Sequence, residues 1–250
     1  MHVKKWCRIN DKIEIEKYYD ARYGAPGMPR QKKEKATPED VARQNFWKKC
    51  QYLRRTMELN FRGGDLHVTL TCRTEDRPTD EDAPGVIRAF RDKVAAEYKR
   101  QGWQFKYIIT CETGKRGATH WHMIVNSEYS AKTNTWDIIR RHWTRGRPKM
   151  VPLDDNRDYK QLAEYIVKET RYRMERERTI EKLSYISSRN LIRPQEHKRK
   201  MKAKKWKNPP TAPKGYMIKP DSVINGFNKY TGLPYQKYTI VRIRTGKEAG

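Results

Sequence analysis

The residues of this chain best suited to chemistry lie in one stretch, CETGKRGATHWHMIVN, from Cys111 to Asn126. His120 and His122 sit either side of Trp121, within a run of apolar and β-branched residues that follows a turn rich in Gly, Lys and Arg. In a strand, residues two apart point the same way. The spacing therefore predicts both imidazoles on one face, with Trp121, Met123 and Val125 on the other. Two imidazoles side by side can share a divalent cation; they can equally be an exposed pair on a half-buried sheet. A third donor favours the metal. Glu112 closes the preceding predicted strand, QFKYIITCE, which the short turn TGKRGA joins to THWHMIVN. A hairpin register that sets Glu112 opposite His120 puts its carboxylate on the histidine face, and a slip of one residue hides it. His67 is the competing third ligand. Cys111 is a poorer one, because hard Mg²⁺ or Mn²⁺ prefers oxygen. Two imidazoles and a carboxylate leave coordination positions for a phosphate oxygen, so such an ion can act as a Lewis acid at a phosphodiester.

A second group of candidates lies in DYKQLAEYIVKETRYR. On a helical wheel of about 100° per residue, Tyr159, Leu162, Ala163 and Ile166 share one arc, the expected buried stripe. Gln161, Tyr165, Lys168 and Tyr172 cluster on a separate flank. Tyr165 and Lys168 are thus neighbours at i, i+3 off the core face. A tyrosine hydroxyl can serve as a covalent nucleophile, and a lysine beside it can stabilise phosphate charge. A flank tyrosine with its hydroxyl in water is the plainer alternative.

Positioning these groups falls to a recognisable series of elements. TPEDVARQNFWKKCQYLRRTMELN reads as a helix, with Thr37 as cap, Pro38 at its first position and Ala42, Phe46, Cys50, Leu53 and Met57 as its apolar stripe. LHVTLTC alternates as a strand, with Val68, Leu70 and Cys72 on one face and His67, Thr69 and Thr71 on the other. Ile87, Phe90, Val94 and Tyr98 mark a second helix that stops at Gly102, and Trp136, Ile139 and Trp143 a third. Helix, strand, helix, hairpin, helix, helix implies an α+β fold, an antiparallel-rich sheet with helices packed on it.

The balance of charge is extreme. Lys and Arg number 56 against 30 acids, a formal net charge of +26, and 7 Trp and 15 Tyr are interleaved with them. A polyanion is the natural partner, and nucleic acid with unpaired bases fits better than a membrane surface. No apolar run approaches the roughly 18 residues of a membrane span and the start lacks a signal-peptide stretch, so a cytoplasmic location is expected. Cys7, Cys50, Cys72 and Cys111 form no C-x-x-C pair and read as buried or incidental thiols. No phosphate-binding G-x-x-x-x-G-K-[ST] loop is present, hence no motor.

Three stretches in order, LHVTLTC, HWH and YIVK, resemble the motifs of the HUH endonuclease superfamily, and within it the rolling-circle replication initiators of small plasmids and phages. The resemblance spans about Asn60 to Lys168 and continues more weakly through SSRNLIRP. It implies a ferredoxin-like antiparallel sheet core and a metal-dependent nickase acting on single-stranded DNA. It further implies His120 and His122 as metal ligands, Glu112 as the third, Mg²⁺ or Mn²⁺ as the cofactor, Tyr165 as the nucleophile, and Lys168 as the residue that orients the phosphate. Tyr159, inside the apolar arc roughly 120° from Tyr165, is read as core, so a single-tyrosine enzyme is expected. The implied partners are single-stranded DNA at a replication origin and a host helicase and polymerase.

The expected organisation is a polar lead-in over 1–36, flexible rather than packed; a nuclease domain over 37–188; and a basic linker with a strand-containing extension over 189–250. Lys115 and Arg116 in the hairpin turn, with Lys198, Arg199, Lys200, Lys204 and Lys205 in the basic run, are the candidate DNA contacts through phosphate. A solvated charged linker is the alternative for that run. Rival functions are a single-tyrosine transposase or relaxase using the same chemistry, and a non-enzymatic single-strand-binding protein with structural histidines.

Overall fold

The computed structural model describes residues 2–20, 36–113, 118–156, 158–177, 185–203 and 205–243. In chain order the elements are β1 (His2–Ile9), β2 (Lys12–Tyr19), α1 (Pro38–Asn60), β3 (Leu66–Leu70), α2 (Ala83–Arg100), β4 (Tyr107–Thr113), β5 (Thr119–Val125), α3 (Thr135–His142), β6 (Lys149–Pro152), α4 (Lys160–Glu177), β7 (Ile186–Ser187), β8 (Glu196–Lys200), β9 (Tyr216–Ile218), β10 (Ile224–Phe227) and β11 (Pro234–Arg242). They form two compact units: Phe46–Ile192, and Met1–Asn45 together with Arg193–Gly250.

The unit Phe46–Ile192 is built on a five-stranded sheet in the order β6-β3-β5-β4-β7, antiparallel at every pairing. Its α+β architecture is the one expected. One face of the sheet presents Leu66, Val68, Leu70, Ile109, Trp121, Met123 and Val125 to α2 and α3, where Phe90, Val94, Tyr98, Ile138, Ile139 and Trp143 complete the core. Trp143 meets both Phe90 and Trp121 edge to face, at centroid separations of 5.3 and 5.5 Å, contacts worth about 0.5–1.5 kcal/mol each beyond their buried area. The opposite face carries Ile108 and Ile124 against Cys50, Leu53 and Met57 of α1 and Tyr159, Ala163, Ile166 and Val167 of α4. Helices on both sides make β5 almost wholly buried rather than half-exposed.

Local chemistry fixes the ends of these elements. Thr37 caps α1, its Oγ1 accepting from the amide of Asp40 at 3.1 Å. Asn134 caps α3 in the same way through Asp137 N. Gly102 takes a positive φ of 73° directly after α2, a conformation that lacks the Cβ penalty only for glycine. The segment predicted to follow the tyrosine helix closes the unit: Ser188 exchanges bonds with Tyr107 through its backbone and hydroxyl, Leu191 enters the α1–α4 core, and Ile192 pairs with the Asn60 side chain.

The second unit corrects two expectations. Order begins at His2 rather than Thr37. β1 and β2 form a hairpin whose register runs from His2↔Tyr19 to Ile9↔Lys12, turning on Asn10 at φ 51°. The lead-in and the C-terminal extension are moreover one sheet, in the order β10-β11-β2-β1-β8 with β9 beside β11. The basic run is not a linker throughout: its centre, EHKRK, is β8, paired antiparallel to β1. Charge does not prevent a strand at a sheet edge, where lysines and arginines keep their heads in water and discourage pairing with other chains. Trp6, Ile13, Ile15, Tyr216, Ile218, Tyr238 and Ile240 pack together on one side of this sheet. The Pro- and Gly-rich part of the expected lead-in, residues 21–35, lies outside the described residues.

Candidate metal and nucleophile site

The site stands at one end of the β4–β5 hairpin, on the face covered by α1 and α4. The register is the one that the chemistry requires, with Glu112 directly opposite His120 and with Thr110 on β4 and Thr69 on β3 flanking His122. Because side chains alternate, this register brings Glu112, His120 and His122 to one face as Ile108 and Ile124 begin the core beneath them. Glu112 Oε2 lies 3.0 Å from His120 Nε2 and 2.9 Å from His122 Nε2. The nitrogens and the carboxylate oxygen of these three residues all lie within 4.8 Å of one another, a group that could hold a metal ion.

The donor set fits a divalent cation. Separations near 3 Å are those of adjacent ligands around a small ion with bonds of about 2.1 Å, and two imidazoles with one carboxylate suit Mn²⁺ and its neighbours and leave room for further oxygen ligands. Burial works to raise the Glu112 pKa, but the hydrogen bond from Tyr165 and the histidines beside it outweigh burial, so the carboxyl stays below its usual range. For His122, burial dominates over the attraction of Glu112 and lowers the pKa, which keeps the imidazole neutral at physiological pH and its nitrogen lone pair available.

α4 delivers the tyrosine. Tyr159, Ala163, Ile166 and Val167 anchor the helix in the core, which leaves Tyr165 on the flank with 37% of its surface exposed. Its hydroxyl donates to Glu112 Oε2 at 2.6 Å and lies 3.1 Å from His122 Nε2. The phenol ring stands edge-on to the His122 ring at a centroid separation of 5.2 Å. Tyr159 is buried, as its place in the apolar arc predicts. Lys168 is exposed one turn beyond Tyr165. The Tyr172 side chain, Lys115, Arg116 and Lys204 lie outside what the structure describes.

His67 has a part that sequence reasoning did not assign. It is not in the donor group but behind it: His67 Nε2 is 3.1 Å from His122 Nδ1, and Thr69 Oγ1 is 3.3 Å from the same nitrogen. Burial, with the charges of His122 and Lys149 adding to it, pushes the His67 pKa down to about 4. A neutral imidazole and a hydroxyl on Nδ1 orient the His122 ring, leaving its Nε2 aimed at Glu112 and Tyr165. The alternation of LHVTL carried this signal, since it places His67 and Thr69 on one face; the pairing Thr69↔His122 was needed to read it.

Of the residues singled out for chemistry, the structure brings Glu112, His120, His122 and Tyr165 to one point. Lys198, Arg199, Lys200 and Lys205 belong to the other unit, the first three on β8. Residues 65–170 match the family model of replication-associated proteins of the ORF2 type, a span that contains the whole cluster and is consistent with a replication initiator. No curated protein and no solved structure matches the chain.

Proposed function

We propose that this protein initiates rolling-circle replication by nicking and rejoining single-stranded DNA through a 5′-phosphotyrosine on Tyr165, as an HUH-type endonuclease. One observation carries the reading. The Tyr165 hydroxyl, the Glu112 carboxylate and both histidines meet at a single oxygen, Glu112 Oε2, with every separation to it at 3.0 Å or less. A flank tyrosine with a purely structural task has no need of such a neighbourhood. The match of residues 65–170 to a replication-associated family supports the same reading.

His120, His122 and Glu112 would hold a divalent metal, Mg²⁺ or Mn²⁺, which when bound supplies Lewis-acid stabilisation of charge on the scissile phosphate. The chain's own residues do the rest. Tyr165 gives up its phenolic proton toward the Glu112 carboxylate that already accepts it, and its oxygen bonds to the scissile phosphorus. The bond from that phosphorus to the 3′-oxygen breaks, and the departing oxygen takes a proton to become a free 3′-hydroxyl. Lys168 would orient the phosphate from the same flank of α4. The phosphotyrosine keeps a phosphodiester bond, so attack by a later 3′-hydroxyl reverses the step and reseals the strand without a nucleotide cofactor. In-line placement and charge stabilisation account for most of the rate. The free 3′-hydroxyl would prime a host polymerase, with a host helicase opening the duplex.

The test is covalent capture. Wild type and Tyr165→Phe are incubated with circular single-stranded origin DNA and labelled oligonucleotides, with Mn²⁺ or with EDTA, and run on a denaturing gel. A shifted band that needs both the metal and Tyr165 establishes the reaction, and sequencing its DNA locates the nick. A wild-type level of adduct in Tyr165→Phe removes the nucleophile assignment. Tight single-strand binding with no adduct from wild type would leave a binding protein with structural histidines.

A further inference from the structure

The two faces of the six-stranded sheet are built on opposite electrostatic plans. On one face the residues opposite each other on β8, β1, β2 and β11 are Lys198, Lys5, Glu16 and Lys237. There cation and acid alternate: Lys5 Nζ is 3.6 Å from Glu16 and 3.0 Å from Glu196, and Lys237 Nζ is 3.2 Å from Glu16. One residue along, on the other face, the corresponding row is Arg199, Lys4, Lys17 and Gln236. Three cations stand directly opposite one another on three adjacent strands, an arrangement that costs stability in a sheet. Among the described residues none of the three pairs with a carboxylate; Lys17 Nζ makes its hydrogen bond to Gln236 Oε1, at 3.3 Å. Burial, reinforced by Arg199, lowers the Lys4 pKa, and burial reinforced by Lys4 lowers that of Lys17. An anion laid along this row would relieve all three.

The next row on the same face is aromatic and apolar: His197, Trp6, Ile15 and Tyr238. Trp6 and His197 are stacked, with centroids 5.4 Å apart and an interplanar angle of 24°. The cations lean over these rings, Lys4 Nζ and Arg199 Cζ at 5.9 and 5.7 Å from Trp6 and Lys17 Nζ at 5.0 Å from Tyr238. A cationic track beside stacked aromatic rings is the construction that holds an unpaired strand, phosphates on the charges and base faces on the rings. Duplex DNA offers phosphates too, but its base faces are hidden in its own stack.

We propose that this sheet face is a second, separate single-stranded nucleic-acid site, with Arg199, Lys4 and Lys17 holding phosphates and the Trp6–His197 pair receiving a base. It needs neither the metal nor Tyr165. Strand alternation also divides the basic run, giving Arg199 to this face and Lys198 and Lys200 to the opposite one.

The experiment uses the full chain in EDTA, where nicking plays no part, and follows the anisotropy of fluorescein-labelled oligo(dT) of about twenty nucleotides. The variants are the triple Lys4→Gln/Lys17→Gln/Arg199→Gln and a charge-matched control at three exposed positions, Arg88→Gln/Lys93→Gln/Lys132→Gln. We expect the first triple to lose about tenfold or more in affinity and its salt slope to fall by about 2, as three lost phosphate contacts to a single strand require. We expect the control to stay within about twofold of wild type, and Trp6→Leu to weaken oligo(dT) more than a duplex of equal length. Equal binding by the two triples overturns the site. Equal losses of duplex and single strand in Trp6→Leu overturn the assignment of single strands. Should the first triple melt early, Lys17→Gln alone decides, with a loss of about threefold supporting the site and no loss overturning it. Covalent capture by Tyr165 is read separately on the gel, so the two conclusions stand or fall apart.

Discussion

Tyr165 and Glu112, 53 positions apart in the chain, share a hydrogen bond of 2.6 Å from the phenolic hydroxyl to carboxylate Oε2. The same oxygen faces both histidines, so the bond ties the nucleophile candidate to the metal-ligand candidates. Replacing Glu112 by Gln keeps the shape but removes the charge and half of the acceptor capacity. Glu112→Gln is expected to reduce covalent adduct at least about a hundredfold, the scale of losing a charged group that both binds metal and accepts the proton. Single-turnover capture on a denaturing gel measures it.

His67 touches His122 and lies outside the donor group, so its loss should act through orientation. His67→Ala is expected to weaken Mn²⁺ binding by about 10- to 100-fold without removing a ligand. Titration calorimetry or Mn²⁺ electron paramagnetic resonance would read it, and His120→Ala, which removes a ligand candidate, should be the more severe change.

Ile124 is fully buried on the site face of β5, one register row below His122. Ile124→Ala removes core volume between the sheet and the α1–α4 layer and should cost about 2–5 kcal/mol of unfolding free energy. Urea denaturation followed by circular dichroism would show it.

Gly146 lies where a Cβ would stand 2.3 Å from the backbone oxygen of Thr71, an oxygen that also accepts from Trp143 Nε1 at 2.8 Å. The neighbour is backbone and cannot step aside. Gly146→Ala should therefore cost about 1–3 kcal/mol, seen as a lowered midpoint in thermal melting.

Cys50 is buried in the α1–α4 core, and burial, with Glu164 nearby, pushes its thiol up to about 11 from 9.0. The folded state thus favours the protonated thiol. Its contribution to stability is complete below the unfolded pKa near 9 and is lost as pH rises toward 11. Urea midpoints across that interval should fall less in Cys50→Ala than in wild type. For the same reason iodoacetamide at pH 8, which needs a thiolate, should label Cys72 and Cys111 before Cys50, as peptide mass mapping would show.

No helix among the described residues is long and apolar enough to cross a membrane, in keeping with the expectation from composition. The elements of Phe46–Ile192 were legible because each depends on local periodicity: alternation in LHVTL and THWHMIV, the 3.6-residue stripes of α1, α2 and α4, and the Thr37 cap. The first hairpin was equally local, since HVKKWCRI and KIEIEKYY flank the two-residue turn Asn10-Asp11, a recognised hairpin signal. It was missed because high charge was read as disorder. β8 was harder, because a strand of five exposed residues, EHKRK, has no apolar face of its own and exists through its pairing with β1.

By itself the sequence determined which side chains share a face, because the two-residue repeat of strands and the 3.6-residue repeat of helices are properties of the backbone. His120 with His122, and Tyr165 with Lys168, follow from that alone. Which faces meet was decided only by tertiary structure. The hairpin register set Glu112 opposite His120, the burial of Tyr159, Ala163 and Ile166 turned Tyr165 toward that carboxylate, and the pairing of β8 with β1 aligned Arg199 with Lys4 and Lys17. These relations join residues far apart in the chain, and they are fixed by packing and hydrogen bonds between elements that no local pattern encodes.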